Sequence, residues 1–205
     1  YALHSLAHLL ITEVKTVDNS EFIEIYNPTN ATISLDDYYI TDYASEDGVG
    51  TRHGYWEIVT GSAFHVDNPT DFVAGFWPGQ KIFAGGTLVI ATGASTTTPP
   101  GGFLGGSADF MILRVSNNTP MRLVGGTPNG TLTGGLLFDN AEFVMLFKWD
   151  GACDLVCDVD YVSWGPLSNG NSRADKTSVQ IDGPDGDDTP SAYLPDISAN
   201  QQEMS

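Results

Sequence analysis

The chain has 205 residues, with 26 acidic and 8 basic side chains and a net charge of −18 at pH 7. This length fits one large domain or two small ones, and 41% hydrophobic residues suffice for a packed core. The longest apolar runs fall far short of the ~20 residues that cross a bilayer, so we expect no membrane insertion. A pI near 4.1 leaves no basic face for a nucleic acid.

The acidity also bears on location. Hydrated carboxylates with few lysines keep a protein soluble in salty water. The chain starts at Tyr1 rather than Met, which fits a processed, exported protein and a cloned fragment equally. We expect an extracellular or cell-surface location.

The sequence pattern favours strands throughout. Apolar and polar residues alternate frequently, and 23 glycines and 11 prolines interrupt them. The predicted strands are residues 9–14, 22–26, 32–35, 38–42, 81–83, 87–91, 110–115, 121–124, 143–149, 159–164 and 178–181. Short strands separated by turn sequences predict an all-β protein, an antiparallel β-sandwich. Residues 81–83 and 87–91 flank a Gly-Gly turn, which predicts two strands around a tight turn.

Residues 143–149 predict a strand that is covered on both faces, because large apolar side chains occupy both sets of alternating positions. Residues 44–78 and 93–107 lack this alternation, and we interpret them as long loops inserted into the sandwich. The predicted organisation is an N-terminal arm of residues 1–8 and one domain of residues 9–205.

Several segments in the right order resemble the lamin-tail domain family. They are Leu-Ile-Thr-Glu-Val at residues 10–14, Glu-Phe-Ile-Glu-Ile-Tyr-Asn-Pro at 21–28, Ile-Ser-Leu at 33–35, and the segments 77–91, 159–165 and 176–184. The resemblance implies an immunoglobulin-like sandwich and a non-enzymatic role. Bacterial and archaeal members occur in exported or surface proteins that bind, tether or assemble.

We therefore expect a non-catalytic extracellular structural or adhesive module. In its narrower form, it is the self-assembling subunit of a surface filament, with other copies or cell-surface proteins as partners. The alternative is a carbohydrate- or ligand-binding accessory domain of a larger secreted protein.

The two cysteines, Cys153 and Cys157, are four residues apart. In an extended strand they would lie ~13 Å apart, too far for a disulfide. The turn sequence Asp150-Gly151 just upstream allows the chain to double back. We predict a disulfide, with two free thiols as the alternative.

Four carboxylates, those of Asp182, Asp185, Asp187 and Asp188, share a glycine-containing stretch of seven residues. Calcium takes several oxygen ligands on a tightly curled chain, so this stretch predicts a calcium site, with a solvated acidic turn as the alternative. The rest of the sequence requires no cofactor. Asp158 and Asp160 alternate along a predicted strand and should share one face.

Two further surfaces are candidates for binding. Tyr55, Trp56 and Trp77 lie in the inserted segment 44–78, where they either pack onto the sandwich or form a surface that stacks on a ligand. The N-terminal arm carries apolar side chains that either pack on their own domain or contact a neighbouring subunit by strand addition. These side chains are Tyr1, Leu3, Leu6 and Leu9.

Overall fold

The computed structural model describes residues 8–17, 21–43, 53–66, 70–93, 109–112, 121–125, 135–166 and 174–194. Within these residues the chain forms thirteen strands and one 3₁₀-helical segment, Tyr55–Ala63. The strands are β1 Leu10–Lys15, β2 Phe22–Tyr26, β3 Ile33–Ser34, β4 Tyr38–Thr41, β5 Val73–Gly75, β6 Lys81–Ile82, β7 Thr87–Ala91, β8 Phe110–Met111, β9 Arg122–Leu123, β10 Glu142–Lys148, β11 Cys157–Trp164, β12 Gln180–Ile181 and β13 Ser191–Ala192.

Two sheets carry the architecture. One has the strand order β1-β2-β7-β8, and the other has the order β11-β10-β4-β5-β9. The pairs β3–β6 and β12–β13 form two small ribbons. Every pairing is antiparallel except β7 with β8. The prediction of an all-β, antiparallel sandwich is confirmed.

The predicted strands around the tight turn do not pair with each other. β6 pairs with β3, whereas β7 joins β2 in the four-stranded sheet. The turn still forms, because the amide N–H of Gly86 donates to the carbonyl oxygen of Phe83 at 2.9 Å and Gly85 has a φ of 65°. Turn chemistry therefore reverses the chain here without selecting the strand partner.

The inserted segment 44–78 contributes a core strand rather than only a loop. β5 lies between β4 and β9 in the five-stranded sheet, and all three of its residues are buried. A strand of Val-Ala-Gly is too short and too small to show alternation in the sequence. Of the second predicted insertion, residues 94–107 lie outside the described residues.

The main core lies between the two sheets. It contains the inward side chains of β2 and β7 on one side and those of β4, β5 and β10 on the other. Val144 and Leu146 of β10 point into this core, whereas Phe143, Met145 and Phe147 point to the opposite face. The prediction that this strand is covered on both faces is confirmed.

A second apolar cluster covers the outer face of the five-stranded sheet. The 3₁₀-helical segment lies on this face and buries Tyr55, Trp56, Ile58 and Val59 against it. The C-terminal residues 174–194 pack on the same cluster through Ile181, with Val179 and Tyr193 half-buried. We call these two segments the outer layer.

Candidate functional site

The strands β1 and β11 form one open side of the sandwich. Each is the last strand of its own sheet in the described part of the chain, and the two lie side by side. The amide N–H of Ile11 donates to Asp160 Oδ2 at 2.7 Å, which links the two edges. We call this junction the seam.

Both seam strands contain a bulge. In β1, Thr12 is an extra residue between the pairs Ile11–Ile25 and Glu13–Glu24. In β11, Val159 is extra between Asp158 and Asp160. A bulge shifts the alternation of side chains by one position. Asp160 therefore faces β1 while Asp158 faces the outer layer, and the prediction that they share one face is wrong.

An apolar groove runs along the seam. Its volume is about 340 Å³, and four apolar side chains line it, those of Ile11, Val14, Val162 and Trp164, together with Thr12, Glu13 and Thr16. This volume lies within the range of ligand pockets, ~300–1,000 Å³. The indole N–H of Trp164 donates to the carbonyl oxygen of Phe138 at 2.8 Å, which fixes one wall. The groove therefore combines apolar walls with two strand edges.

The predicted subunit contacts divide into two groups. Tyr1, Leu3 and Leu6 lie outside the described residues. Leu9 is fully buried in the core between the sheets of its own chain. Leu9 directly precedes β1, and the position of that strand places the Leu9 side chain in the core between the two sheets. For Leu9 the structure shows the first of the two alternatives, packing on its own domain, and not a subunit contact.

The three candidate aromatic residues divide between the two alternatives, packing onto the sandwich and exposure on a ligand surface. Tyr55 and Trp56 are fully buried, because the apolar outer face of β10 needs a cover and the 3₁₀-helical segment supplies it. The ring of Tyr55 lies 4.9 Å from that of Phe147. Gly54 permits this packing, since a Cβ there would lie 2.5 Å from the Trp56 ring. Trp77 remains on the surface, with 44% of it exposed.

A buried lysine that the sequence reasoning missed joins the outer layer to β11. The side chain of Lys176 is 10% exposed, and its ammonium lies 5.1 Å and 5.0 Å from the ring centroids of Tyr55 and Tyr193. Lys176 Nζ donates to the Tyr55 hydroxyl oxygen at 2.9 Å and forms an ion pair with Asp158 Oδ2. The Tyr55 hydroxyl in turn donates to Asp158 Oδ1 at 2.7 Å. The three groups form a closed polar triangle among aromatic rings.

Three carboxylates converge at the loop that follows β12. One oxygen each of Asp154, Asp182 and Asp185 lies within 4.8 Å of the others. A hydrogen bond from the Ser191 side chain lowers the pKa of Asp154, and so does the amide N–H of Gly183, which donates to Asp154 Oδ1 at 3.0 Å. Partial desolvation at the surface, together with the neighbouring carboxylates, raises the pKa of Asp182.

The predicted calcium set is thus brought together only in part. Asp182 and Asp185 belong to the cluster, and Asp154 joins it from the loop between β10 and β11. Asp187 and Asp188 lie outside it, and Asp187 Oδ1 accepts from the amide N–H of Thr189 at 2.9 Å. Three carboxylates provide part of the six to eight oxygens that Ca²⁺ takes.

The predicted disulfide is absent, and Cys153 and Cys157 are free and exposed. Asp150 organises the turn instead, because its Oδ1 accepts from the amide N–H groups of Ala152 and Cys153 at 2.9 Å. The Cys153 thiol donates to Asp150 Oδ2 at 3.0 Å. The hydrogen bonds that Asp150 accepts from the thiol and the amide N–H of Cys153 lower the pKa of Asp150 to about 2. Cys157 belongs to β11, where it pairs with Lys148, so the two thiols serve different local structures.

Two mainly antiparallel sheets packed face to face around one apolar core define an immunoglobulin-like β-sandwich. Comparison with known families identifies the sandwich further. The family model of the lamin-tail domain matches residues 4–165, about four-fifths of the sequence. The chain belongs to the lamin-tail domain family, which is a family of immunoglobulin-like, non-catalytic domains.

The structural comparison gives a distant neighbour. A crystal structure of a DUF4876 family protein from Bacteroides thetaiotaomicron is 14% identical to this chain, with a TM-score of 0.49. The match covers 93% of this chain and 51% of that protein, so this chain spans about half of its length. No curated protein matches the chain. Among the described residues, no helix is both long and apolar enough to span a bilayer.

Proposed function

We propose that this protein is a non-catalytic extracellular structural module that assembles with copies of itself. In this proposal, the N-terminal arm of one copy, residues 1–8, occupies the seam groove of the next. The observation that carries the proposal is the apolar groove between the edge strands β1 and β11. Edge strands present backbone groups to which an extended segment from another chain can pair.

The chemistry of the arm fits this groove. Residues 1–8 contain three leucines or tyrosines at positions 1, 3 and 6 and no Asp, Glu, Lys or Arg. An uncharged segment approaches a body of net charge −18 without adding to its repulsion. Burying one leucine side chain stabilises a contact by about 1.5–3 kcal/mol, so two or three anchors give a specific but reversible association.

The proposed location rests on composition and family. Strong acidity favours solubility outside the cell, and the resemblance implies exported or surface proteins. A module of this kind works by holding surfaces in place. The buried outer layer supports that role, because it leaves the five-stranded sheet covered on both faces.

The assembly is tested by a variant that fills the groove without disturbing the core. Thr12 lines the groove and is exposed, so Thr12→Arg places a long charged side chain there. The Thr12 hydroxyl donates to Oε1 of the buried Glu24 at 2.6 Å, so Thr12→Val, which loses this bond without adding a charge, is the control for stability and should still assemble. Thr32→Arg is the matched control, since Thr32 is equally exposed and lies just before β3. Leu3→Asp combined with Leu6→Asp tests the arm itself.

The measurement is light scattering coupled to size-exclusion chromatography, from about 1 µM to about 1 mM. We expect the wild-type protein and Thr32→Arg to form growing oligomers, whereas Thr12→Arg and the double arm variant stay monomeric. A wild-type protein that is monomeric over the whole range contradicts the proposal. So does assembly that Thr12→Arg leaves unchanged.

A further inference from the structure

The polar triangle of the outer layer contains the two groups from which an amide forms, an amine and a carboxyl group. A primary amine, a carboxyl group and a hydroxyl donor are held in direct contact, and Lys176 and Tyr55 are buried. An ammonium removed from water loses several kcal/mol of hydration, which one carboxylate repays only with good geometry. An arrangement of this kind is costly to keep as two charges.

We propose that Lys176 Nζ and Asp158 Cγ join in an intramolecular amide, an isopeptide cross-link. Proton transfer from the ammonium to the carboxylate within the pair gives a neutral amine and a carboxylic acid, so no outside base is needed. The amine attacks Cγ, the Cγ–Oδ2 bond breaks, and Oδ2 leaves as water with one proton from the acid and one from the amine. The balance requires no oxidant, reductant or cofactor.

Tyr55 is placed to assist this step. Its hydroxyl donates to Asp158 Oδ1, the oxygen on which negative charge develops when the amine attacks Cγ. A donor fixed on a developing oxyanion stabilises the transition state, and removal of one such donor slows acyl transfer by about 10²–10³-fold. The same hydroxyl oxygen accepts from Lys176 Nζ and so holds the nucleophile beside the carboxyl group.

Three features favour formation of the amide: the closeness of the two reacting groups, the loss of their charges, and a path by which the released water can leave. Well-oriented groups in one molecule react with effective concentrations of about 10⁵ M or more, far above what free amine and acid reach in solution. The product carries no charge, which removes the hydration penalty of the pair. The side chain of Asp158 is 39% exposed, so the released water can leave to solvent.

The cross-link would fasten the C-terminal part of the chain to the sandwich. Asp158 lies in β11, within the segment that matches the lamin-tail family, whereas Lys176 lies beyond it, at the start of the segment 174–194. That segment covers the outer face of the five-stranded sheet. A covalent bond between the two would prevent the outer layer from detaching.

The test is the mass of the intact, reduced protein. We expect the wild-type protein to be lighter than the sum of its residues by one water molecule. Trypsin cannot cleave after an acylated Lys176. We therefore expect digestion to give one branched peptide in which residues 149–173 stay joined to residues 174–205.

Four variants assign the bond. Lys176→Arg and Asp158→Ala should have their full masses, whereas Lys81→Arg should still lack one water, because it alters a lysine that lies over the Phe83 ring instead. Tyr55→Phe should cross-link about 10²-fold more slowly, seen as a full-mass fraction that declines with time. Equal rates for Tyr55→Phe and the wild-type protein would contradict the role of the hydroxyl.

A second reaction, the cyclisation of an Asp-Gly sequence to a succinimide, also lowers the mass by one water molecule. The chain has four Asp-Gly sequences, at residues 47–48, 150–151, 182–183 and 185–186. Hydroxylamine opens the succinimide that forms there but leaves an isopeptide intact. A wild-type protein at its full mass overturns the proposal. A water loss that hydroxylamine reverses, with no branched peptide, overturns it equally.

Discussion

Glu21 gives the most direct prediction of how stability depends on pH. It precedes β2, is 4% exposed, and its Oε2 accepts from the amide N–H of Leu137 at 3.0 Å. Burial raises the pKa of this carboxyl group from 4.5 to about 7. In the unfolded chain the group returns to its ordinary pKa, near 4.5.

The sign follows from proton binding. Between pH 4.5 and about 7 the folded state binds more protons at Glu21 than the unfolded state does. The free energy of unfolding therefore falls as the pH rises through this window, and the loss is complete above it. A pKa change of this size corresponds to at most about 3 kcal/mol, and solvent screening reduces the expected effect to about 1–2 kcal/mol.

The perturbation is Glu21→Gln, which keeps an oxygen to accept from Leu137 and removes the charge. Urea unfolding should show the variant to be about 1–2 kcal/mol more stable than the wild type near pH 8, and equal to it near pH 4.5. Asp37→Asn is the control, because Asp37 is exposed, and it should show no such difference. If Glu21→Gln and the wild type have parallel pH profiles, the reasoning about burial is refuted.

Three further outcomes are expected. Trp56→Ala should lower the free energy of unfolding by about 3–5 kcal/mol, and Trp77→Ala should lower it by less, because 44% of Trp77 is exposed; equal effects in urea unfolding would contradict the buried role of Trp56. Asn27 Nδ2 donates to the carbonyl oxygens of Ala31, Ile82 and Phe83. Asn27→Ala should therefore destabilise by about 2–3 kcal/mol in the same assay, and a change below about 0.5 kcal/mol would refute that account. For calcium, titration calorimetry should detect binding that Asp182→Asn with Asp185→Asn abolishes and Asp187→Asn with Asp188→Asn preserves; absence of heat in the wild type would remove the predicted site.

The sequence was sufficient for the fold class because alternation is a local property. Residues 143–147 place large apolar side chains at both sets of alternating positions, and the structure buries both faces of β10. The pairing of strands was not predictable in the same way. Turn residues such as Gly85 fix a reversal of the chain, but the partner of β6 is β3, which lies far away in the sequence.

The candidate sites show the same division. Asp182 and Asp185 were predicted together because they are neighbours in the chain, whereas Asp154 comes from another loop. The partners of Lys176 are Asp158 and Tyr55, and no spacing pattern links the three. The bulge at Val159 reverses the side on which Asp158 lies, and a single extra residue leaves no signal in the alternation.

Cryo-electron microscopy of the concentrated protein tests the proposed assembly most directly. The account predicts that residues 1–8 of one copy lie along the seam of the next, with their apolar side chains in the groove against Val162 and Trp164. Single, unassociated particles would contradict it, as would a contact elsewhere that leaves the seam groove open to solvent.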